Sequence, residues 1–297
     1  MKREARRAPG AVIVGSNGTG KALAERQQSN NLETADHWQL YAEHRIRVDA
    51  LIQSPGSDAR LCVLGAGNCN SFELASLTQR FAEVHLCDLD SAALNRAVKQ
   101  LSGAARNKLH LHAPVDVSGV LTQLPTWAEA LPTVDALRAL PEAVEASLSQ
   151  QLPGPFEVVV SEGLLSQIAF TCALQLGGGP AVMRVLPFVL LAHLRILLAL
   201  TRPGGNCVLI TDTASTEGVP EVSLSSDSAR VALLQALDAQ GKLFTGTSPT
   251  LLRRALGEKG LAERVKTVHL SSPWTWQLLK ARTSLTYGLQ LTRSQAG

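Results

Sequence analysis

The feature that most constrains the fold is an apolar run that turns on glycines and is followed by a second apolar run ending in an acid. The first run begins at Leu61 and turns at Gly65 and Gly67. The second, Val84-His-Leu-Cys-Asp, ends in Asp88. A buried strand, a glycine turn, a helix and a second strand with a terminal acid form one unit of an α/β sheet.

This unit is typical of folds that hold an adenosine-containing cofactor. Glycine has no Cβ, so Gly65 and Gly67 allow the backbone to approach a ligand closely. Asp88 can accept hydrogen bonds from the two hydroxyls of a ribose. Asp90 and Ser91 are better placed than Asp88 to cap the next helix, which leaves Asp88 available for a ligand.

Strands and helices alternate along most of the chain, which predicts a doubly wound, mostly parallel sheet with helices on both faces. Strands are expected at about 60–65, 83–88, 109–113, 156–161 and 206–211, and helices at about 71–81, 91–102, 180–201, 228–240 and 249–259. A helical insertion is expected at about 119–150. Two final strands, 265–270 and 284–292, are joined by so short a segment that they should pair antiparallel.

The chain before this α/β region predicts a leader followed by one helix. Residues 1–30 are expected to form a flexible leader. Within them, 15–21 fits most of a phosphate-binding loop, but Ala22 stands where a serine or threonine would ligate magnesium. Residues 31–54 predict an N-terminal lid helix, and 55–297 a single cofactor-binding domain.

Charge and composition exclude some classes of function. The formal net charge is +3, and four basic residues lie in the first seven positions, so the body is nearly neutral and no nucleic-acid surface is expected. The longest apolar stretch, 185–200, contains His193 and Arg195, which favours a buried helix over a membrane span. Five cysteines without metal-site spacing and no signal-peptide pattern favour a reduced, cytoplasmic location.

These features together resemble the class I methyltransferases that use S-adenosylmethionine. The resemblance covers 59–292 and rests on the glycine loop at 63–70, on Asp88, and on the Pro-Gly-Gly turn that leads into the fifth strand. The antiparallel final hairpin fits as well. The resemblance implies a Rossmann-like, seven-stranded sheet of the methyltransferase type, mostly parallel with a terminal antiparallel strand. The loop departs from the family where its third glycine is replaced, by Cys69 or by the residue after it.

The resemblance also implies a set of cofactor-binding residues. They are Gly65, Ala66, Gly67, Asn68, Asp88, Leu89, Asp116, Val117 and Ser161. Leu89 would pack on the adenine, and Asp116 would receive the adenine amino group. A turn or a helix cap is nearly as good an interpretation of Asp116.

Three residues of the predicted lid helix are spaced i, i+3 and i+4 and so share a face: Tyr41, His44 and Arg45. We expect this face to cover the pocket, with Arg45 pairing the methionyl carboxylate or an acidic substrate. The alternative is a solvated surface helix with its own salt bridges. Asp212 is expected to line the pocket or to cap a turn.

The expected reaction is in-line methyl transfer to a small-molecule acceptor, with Glu162 and His44 as candidate general bases. The sequence after the fourth strand lacks the Asp/Asn-Pro-Pro-aromatic and Pro-Cys motifs of nucleic-acid methyltransferases. No metal and no membrane partner are expected, and the chain is expected to be a monomer or a homodimer. Two alternatives remain open: a protein that binds S-adenosylmethionine or S-adenosylhomocysteine without catalysis, and an NAD-dependent oxidoreductase.

Overall fold

Eight strands form one sheet in the part of the chain that the computed structural model describes, residues 18–223 and 226–295. The strands are β1 (Arg60–Leu64), β2 (Glu83–Cys87), β3 (Leu109–His112), β4 (Phe156–Glu162), β5 (Thr201–Ser215), β6 (Val265–Leu270), β7 (Trp274–Leu279) and β8 (Arg282–Arg293). Their order across the sheet is β3-β2-β1-β4-β5-β8-β6, and β7 also pairs with β8.

The first five strands run parallel, and β8 runs antiparallel to β5, β6 and β7. The predicted doubly wound sheet with a reversed terminal strand is therefore confirmed. It has eight strands instead of the expected seven, because 274–279 forms the additional strand β7, which pairs with β8. The strand order changes direction between β1 and β4. Ligands of open α/β sheets bind at such a switch point, outside the carboxyl ends of the strands.

Helices cover both faces of this sheet. They are α1 (Gly18–Glu33), α2 (Ala42–Leu51), α3 (Leu74–Arg80), α4 (Ser91–Val98), α5 (Gly103–Arg106), α6 (Leu124–Glu129), α7 (Val134–Gln151), α8 (Leu164–Gln175), α9 (Gly179–Leu200), α10 (Asp227–Ala239) and α11 (Pro249–Leu256). Cys62 and Leu64 of β1 pack into the core on one face, while Leu61 and Val63 pack into the core on the other. Burial on both faces explains why β1 is a continuous apolar run.

The N-terminal region differs from the prediction. Residues 18–33 form α1, so helix replaces the second half of the expected leader, while 1–17 lie outside the described residues. The single lid helix expected at 31–54 is divided: α1 ends at Glu33, turns follow, and α2 begins at Ala42. The expected insertion at 119–150 is the pair α6 and α7.

The turn before the core of β5 needs glycine for steric reasons. Phe156 pairs with Thr201 and Val158 with Asn206, so the residues between Thr201 and Asn206 bulge out of the ladder. A Cβ on Gly205 would lie 2.8 Å from the Glu157 carbonyl oxygen. The Pro-Gly-Gly turn thus brings β5 into close contact with β4.

Helix α9 is long and apolar enough to cross a membrane by length and composition alone, but 56% of its most apolar window is buried inside the protein. Val185, Leu186 and Val189 belong to the core beneath the sheet. Arg195 forms an ion pair with Glu145 of α7, with 2.7 Å between Nε and Oε2. The helix therefore packs as a core helix of this domain.

Candidate functional site

The glycine loop leaves β1 and turns across the end of β2. The amides of Gly65 and Ala66 both donate to the Cys87 carbonyl, at 2.9 and 3.1 Å. Gly65 and Gly67 have φ values of +74° and +49°, in the left-handed region that favours glycine. Cys69 also has a positive φ, +55°. The loop therefore makes a left-handed turn at Cys69, one of the two positions at which the resemblance expects a third glycine.

The Asp88 carboxylate, at the end of β2, forms a hydrogen bond with this loop. Its Oδ2 accepts from the Gly67 amide and its Oδ1 from the Asp90 amide, both at 2.8 Å. Asp88 is 4% exposed, and desolvation raises its pKa. Asp90 caps α4 by accepting from the amides of Ala92 and Ala93. The helix cap is thus Asp90, as predicted, and the Asp88 carboxylate, which also interacts with the Leu89 amide, retains part of its accepting capacity.

A pocket opens at the carboxyl ends of the central strands. Five of the predicted cofactor residues line it: Gly65, Asp88, Leu89, Asp116 and Val117. Gln27 of α1 contributes to the wall, as do Gln167 and Thr171, which lie one turn apart on α8. The pocket therefore combines an acid and amides with an apolar surface.

Asp116 organises the turn that follows β3. Its Oδ1 accepts from the Ser118 amide, the Ser118 hydroxyl and the Gly119 amide, and its Oδ2 accepts from the Leu121 amide. Burial raises its pKa. These four donors use most of the accepting capacity of the carboxylate. The contacts favour the turn interpretation of Asp116 over a bond to an adenine amino group.

The N-terminal segment closes over the glycine loop. Asn68 Nδ2 donates to the Asn31 carbonyl at 2.5 Å and to the Thr34 hydroxyl at 3.2 Å, and Asn70 Nδ2 donates to the Thr34 carbonyl at 2.7 Å. A Cβ on Gly67 would lie 3.2 Å from Asn31 Oδ1. Asn68 therefore holds residues 31–45, here called the covering segment, against the glycine loop. A side chain at Gly67 would press against Asn31 of this segment.

Arg45 joins the covering segment to the same loop. Its Nη1 donates to the carbonyls of Trp38 and Asn70, at 2.9 and 2.8 Å, and its guanidinium lies 3.6 Å from the centre of the Trp38 ring. Desolvation lowers its pKa. Pairing of Arg45 with a ligand carboxylate stays a prediction. Its observed contacts are with protein carbonyls.

The two candidate bases are in direct contact. His44 Nε2 lies 3.1 Å from Glu162 Oε1, and the Trp274 indole donates to His44 Nδ1 at 3.0 Å. Because an indole nitrogen only donates, His44 must accept at Nδ1 and carry its proton on Nε2, which donates to Glu162. Both ring nitrogens of His44 are thereby engaged. Glu162 therefore keeps more free accepting capacity than His44, and the role of either residue as a base stays a prediction.

Aromatic rings enclose this pair. Trp276 stacks on His44 with 4.3 Å between ring centres, and Tyr41 meets Trp276 edge-on at 5.2 Å. Burial, followed by the charges of Glu162 and Asp212, raises the pKa of Tyr41. The Trp276 indole nitrogen is buried and has no acceptor among the described residues. An N–H donor therefore lies without a partner, within the described part of the chain, on the ring that stacks on His44.

Gly163 lies between this cluster and the pocket. A Cβ on Gly163 would lie 3.6 Å from the Trp276 ring and 3.8 Å from Gln167 Nε2. Gly163 has a φ of +62° and precedes α8, so the chain turns sharply from β4 into that helix. The cluster and the pocket are therefore neighbours at one edge of the sheet.

Asp212 and Ser161 have structural partners. Asp212 accepts a short hydrogen bond from the Ser166 hydroxyl in the first turn of α8, and burial raises its pKa. Ser161, which the resemblance placed in the cofactor site, is fully buried, with its Oγ 2.9 Å from His193 Nε2. Successive side chains of a strand point to opposite faces, so Ser161 faces α9 while Glu162 faces the lid.

Gln27 and Thr171 were not among the predicted site residues. The run Ala22-Leu-Ala-Glu-Arg-Gln-Gln28 consists of good helix formers, so a helix there could have been inferred. Its position over the pocket could not, because no local pattern specifies which part of the sheet a helix covers. Thr171 lies four residues after Gln167, a spacing that places both on one helix face.

Comparisons with known proteins found solved structures of low similarity. An rRNA methylase from Streptococcus thermophilus is 14% identical and matches 84% of this chain and 95% of its own, with a TM-score of 0.40. A SAM-dependent methyltransferase from Methanosarcina mazei is 9% identical over 84% and 98%, with a TM-score of 0.44. A geranyl diphosphate methyltransferase in complex with SAM is 12% identical over 85% and 84%, with a TM-score of 0.41. No protein-family model and no curated protein sequence matches the chain.

The fold assignment rests on the strand order and not on these similarities, whose identities and TM-scores are low. Five parallel strands in the order β3-β2-β1-β4-β5 are followed by the antiparallel strand β8, with β6 beyond it. The chain has the Rossmann-like fold of the class I methyltransferases.

Proposed function

We propose that the protein is an S-adenosylmethionine-dependent methyltransferase that acts on a small molecule. The observation that carries the proposal is the convergence of Gly65, Asp88, Leu89 and Val117 on one pocket. That pocket lies at the carboxyl edge of the sheet, where open α/β folds bind their ligands. Three separate strand ends contribute to it, so its composition is unlike that of an ordinary tight turn.

The pocket residues fit the chemistry of this cofactor. Asp88 is buried, and its two oxygens retain part of their accepting capacity, so the carboxylate can accept from ribose hydroxyls. Leu89 and Val117 offer an apolar wall to an adenine ring. A Cβ on Gly65 would already contact Leu164 at 3.3 Å, so glycine preserves space at the loop. S-adenosylmethionine supplies a methyl group made electrophilic by the adjacent sulfonium.

The protein's own task is then to align the acceptor and to remove its proton. Glu162 Oε1 accepts from His44, while Oε2 has no hydrogen-bond partner among the described residues. We assign proton removal to Oε2, with His44 holding the carboxylate in place and Trp274 fixing the histidine tautomer. Alignment supplies much of the acceleration in such a displacement.

The small size of the acceptor is supported by what the chain lacks. The fourth strand leads into Ser161-Glu-Gly-Leu, which is not a motif of amino-methylating nucleic-acid enzymes. The nearly neutral body offers little attraction to a phosphate backbone. A cytoplasmic location and a monomeric or homodimeric state are part of the same proposal.

Calorimetric binding of S-adenosylmethionine, S-adenosylhomocysteine and NAD to the full chain tests the cofactor. We expect the two sulfur compounds to bind, NAD not to bind, and Asp88→Asn to weaken binding at least tenfold. Asp135→Asn is the matched control, because that acid lies on the exposed face of α7 with its side chain 92% exposed. Absence of binding by both sulfur compounds would refute the proposal, and binding of NAD would favour an oxidoreductase.

A second candidate function is binding of the cofactor without catalysis. The burial of Glu162 and His44 favours it. His44 is 1% exposed and Glu162 8% exposed, so the proposed base is nearly sealed from solvent. Release of S-adenosylhomocysteine in the presence of pooled small-molecule acceptors separates the two functions. We expect turnover in the wild type and its loss in Glu162→Gln. Tight binding with no turnover under any acceptor pool would support the second candidate.

A further inference from the structure

A cluster of side chains of the types that bind metal ions lies on β2 and β3, outside the pocket. Glu83, His85 and His110 each offer one ligand atom, and these atoms lie within 4.8 Å of one another. His85 and His110 are direct partners in the parallel register of the two strands. None of the three side chains lines the pocket. The cluster therefore has no part in the site described above.

The spacing of the ligand atoms suits a small cation. Zinc bonds to imidazole nitrogen and to carboxylate oxygen are about 2.0–2.2 Å long, so neighbouring ligand atoms of a tetrahedral site lie about 3.3 Å apart. His85 Nε2 and Glu83 Oε2 are 3.1 Å apart. The His110 ring stacks on the His85 ring, with 4.5 Å between ring centres and 13° between planes. His110 is partly exposed on its strand, so its side chain can adjust to an ion.

Surrounding groups would orient His85, which is buried, and Glu83, whose side chain is 42% exposed. His85 Nδ1 lies 2.9 Å from His112 Nε2, so the ring has a partner on the side away from Glu83. A histidine that binds metal through one nitrogen usually donates its other N–H to such an acceptor. Arg60 Nε donates to Glu83 Oε2 at 3.0 Å and holds that carboxylate in place.

We propose that Glu83, His85 and His110 bind one divalent transition-metal ion of the zinc class. Two imidazoles and one carboxylate favour zinc, nickel or copper over magnesium or calcium, which prefer oxygen ligands. The His85 proton resides on Nδ1 in the bound state and is donated to His112. The remaining coordination position is open to water. The ion joins β3, at the edge of the sheet, to β2.

Calorimetric titration of the untagged full chain with zinc chloride tests the proposal. We expect one ion per chain, with the affinity lowered at least tenfold by His110→Ala and by Glu83→Gln. The matched control is His269→Ala, because His269 is an exposed histidine on β6, at the opposite edge of the sheet. This control should bind zinc as the wild type does. Zinc should also raise the unfolding temperature of the wild type and the control, but not that of His110→Ala.

Two outcomes would overturn the assignment. One is the absence of zinc binding by folded wild-type protein. The other is equal zinc affinity in the wild type and in His110→Ala, which would place any bound ion elsewhere. Circular dichroism of each variant shows whether it is folded, so a loss of binding through misfolding is recognised. Glu83→Gln keeps the shape of the side chain and provides the second, milder perturbation.

Discussion

Replacing Trp274 by phenylalanine should destabilise the protein more than the same replacement at Trp276. Both indoles are 4% exposed, and both lie beside His44, so the loss of ring volume is similar at the two positions. Only the Trp274 indole makes a hydrogen bond, at 3.0 Å to His44 Nδ1. The Trp276 indole has no acceptor among the described residues. The two variants therefore differ mainly by one buried hydrogen bond.

The size of this difference in stability follows from His44 Nδ1, which loses its hydrogen-bond donor in Trp274→Phe. His44 is 1% exposed, so its Nδ1 cannot be rehydrated, and an unsatisfied buried acceptor costs about 1–3 kcal/mol. Trp276→Phe removes a donor that was already unsatisfied, so it carries no such cost. We therefore expect Trp274→Phe to be less stable than Trp276→Phe by about 2 kcal/mol.

Denaturant unfolding followed by far-ultraviolet circular dichroism measures this difference, since tryptophan fluorescence changes with the mutations themselves. Equal stability of the two variants, or a less stable Trp276→Phe, would refute the tautomer assignment for His44. The same pair has a functional readout. If the proposed function holds, Trp274→Phe should lower the rate of methyl transfer with little effect on S-adenosylmethionine affinity, because it acts through His44 on the proposed base.

Three further predictions concern the backbone and the buried histidine. Cys69 has a φ of +55°, which glycine adopts more easily than alanine. In the same unfolding assay, Cys69→Gly should therefore be more stable than Cys69→Ala by about 1 kcal/mol. The reverse order would contradict the left-handed turn. Gly205→Ala should lower the free energy of unfolding by about 1–3 kcal/mol, because the added Cβ would collide with backbone atoms. Gly103→Ala is the control, because the space around Gly103 is open. Equal stability of the two variants would exclude the close contact at Gly205. Burial lowers the pKa of His193 from 6.5 to about 4, so the unfolded chain gains a proton that the folded protein excludes, and stability falls as pH drops from 6.5 towards 4. His193→Gln should reduce this loss by about 3 kcal/mol in unfolding measured across that range, and an unchanged pH dependence would show that His193 is protonated in the fold.

The glycine loop and Asp88 could be predicted because their signals are local. A strand, a glycine turn and an acid after the next strand are all read within 61–88. The parallel register that joins β1 to β2 then places Asp88 beside the loop, where its carboxylate meets the Gly67 amide. Alternation of strands and helices was likewise enough to predict the sheet.

The partners of the other candidate residues could not be predicted in the same way. His44 contacts Glu162 and Trp274, which are 118 and 230 residues away in the chain. Whether Ser161 or Glu162 faces the lid depends on the pleat of β4 in its final register. Arg45 carries the same charge whether it binds a ligand carboxylate or two protein carbonyls, so only its neighbours distinguish these roles.

The sequence by itself determined the order of the elements and the chemistry available at the strand ends. Apolar periodicity and glycine conformational freedom act over a few residues, so they hold before any tertiary contact exists. The tertiary structure decided which helix covers the pocket, which nitrogen of His44 carries the proton, and which side chains of β2 and β3 meet outside the pocket. Those outcomes depend on packing between distant segments, which no local preference specifies.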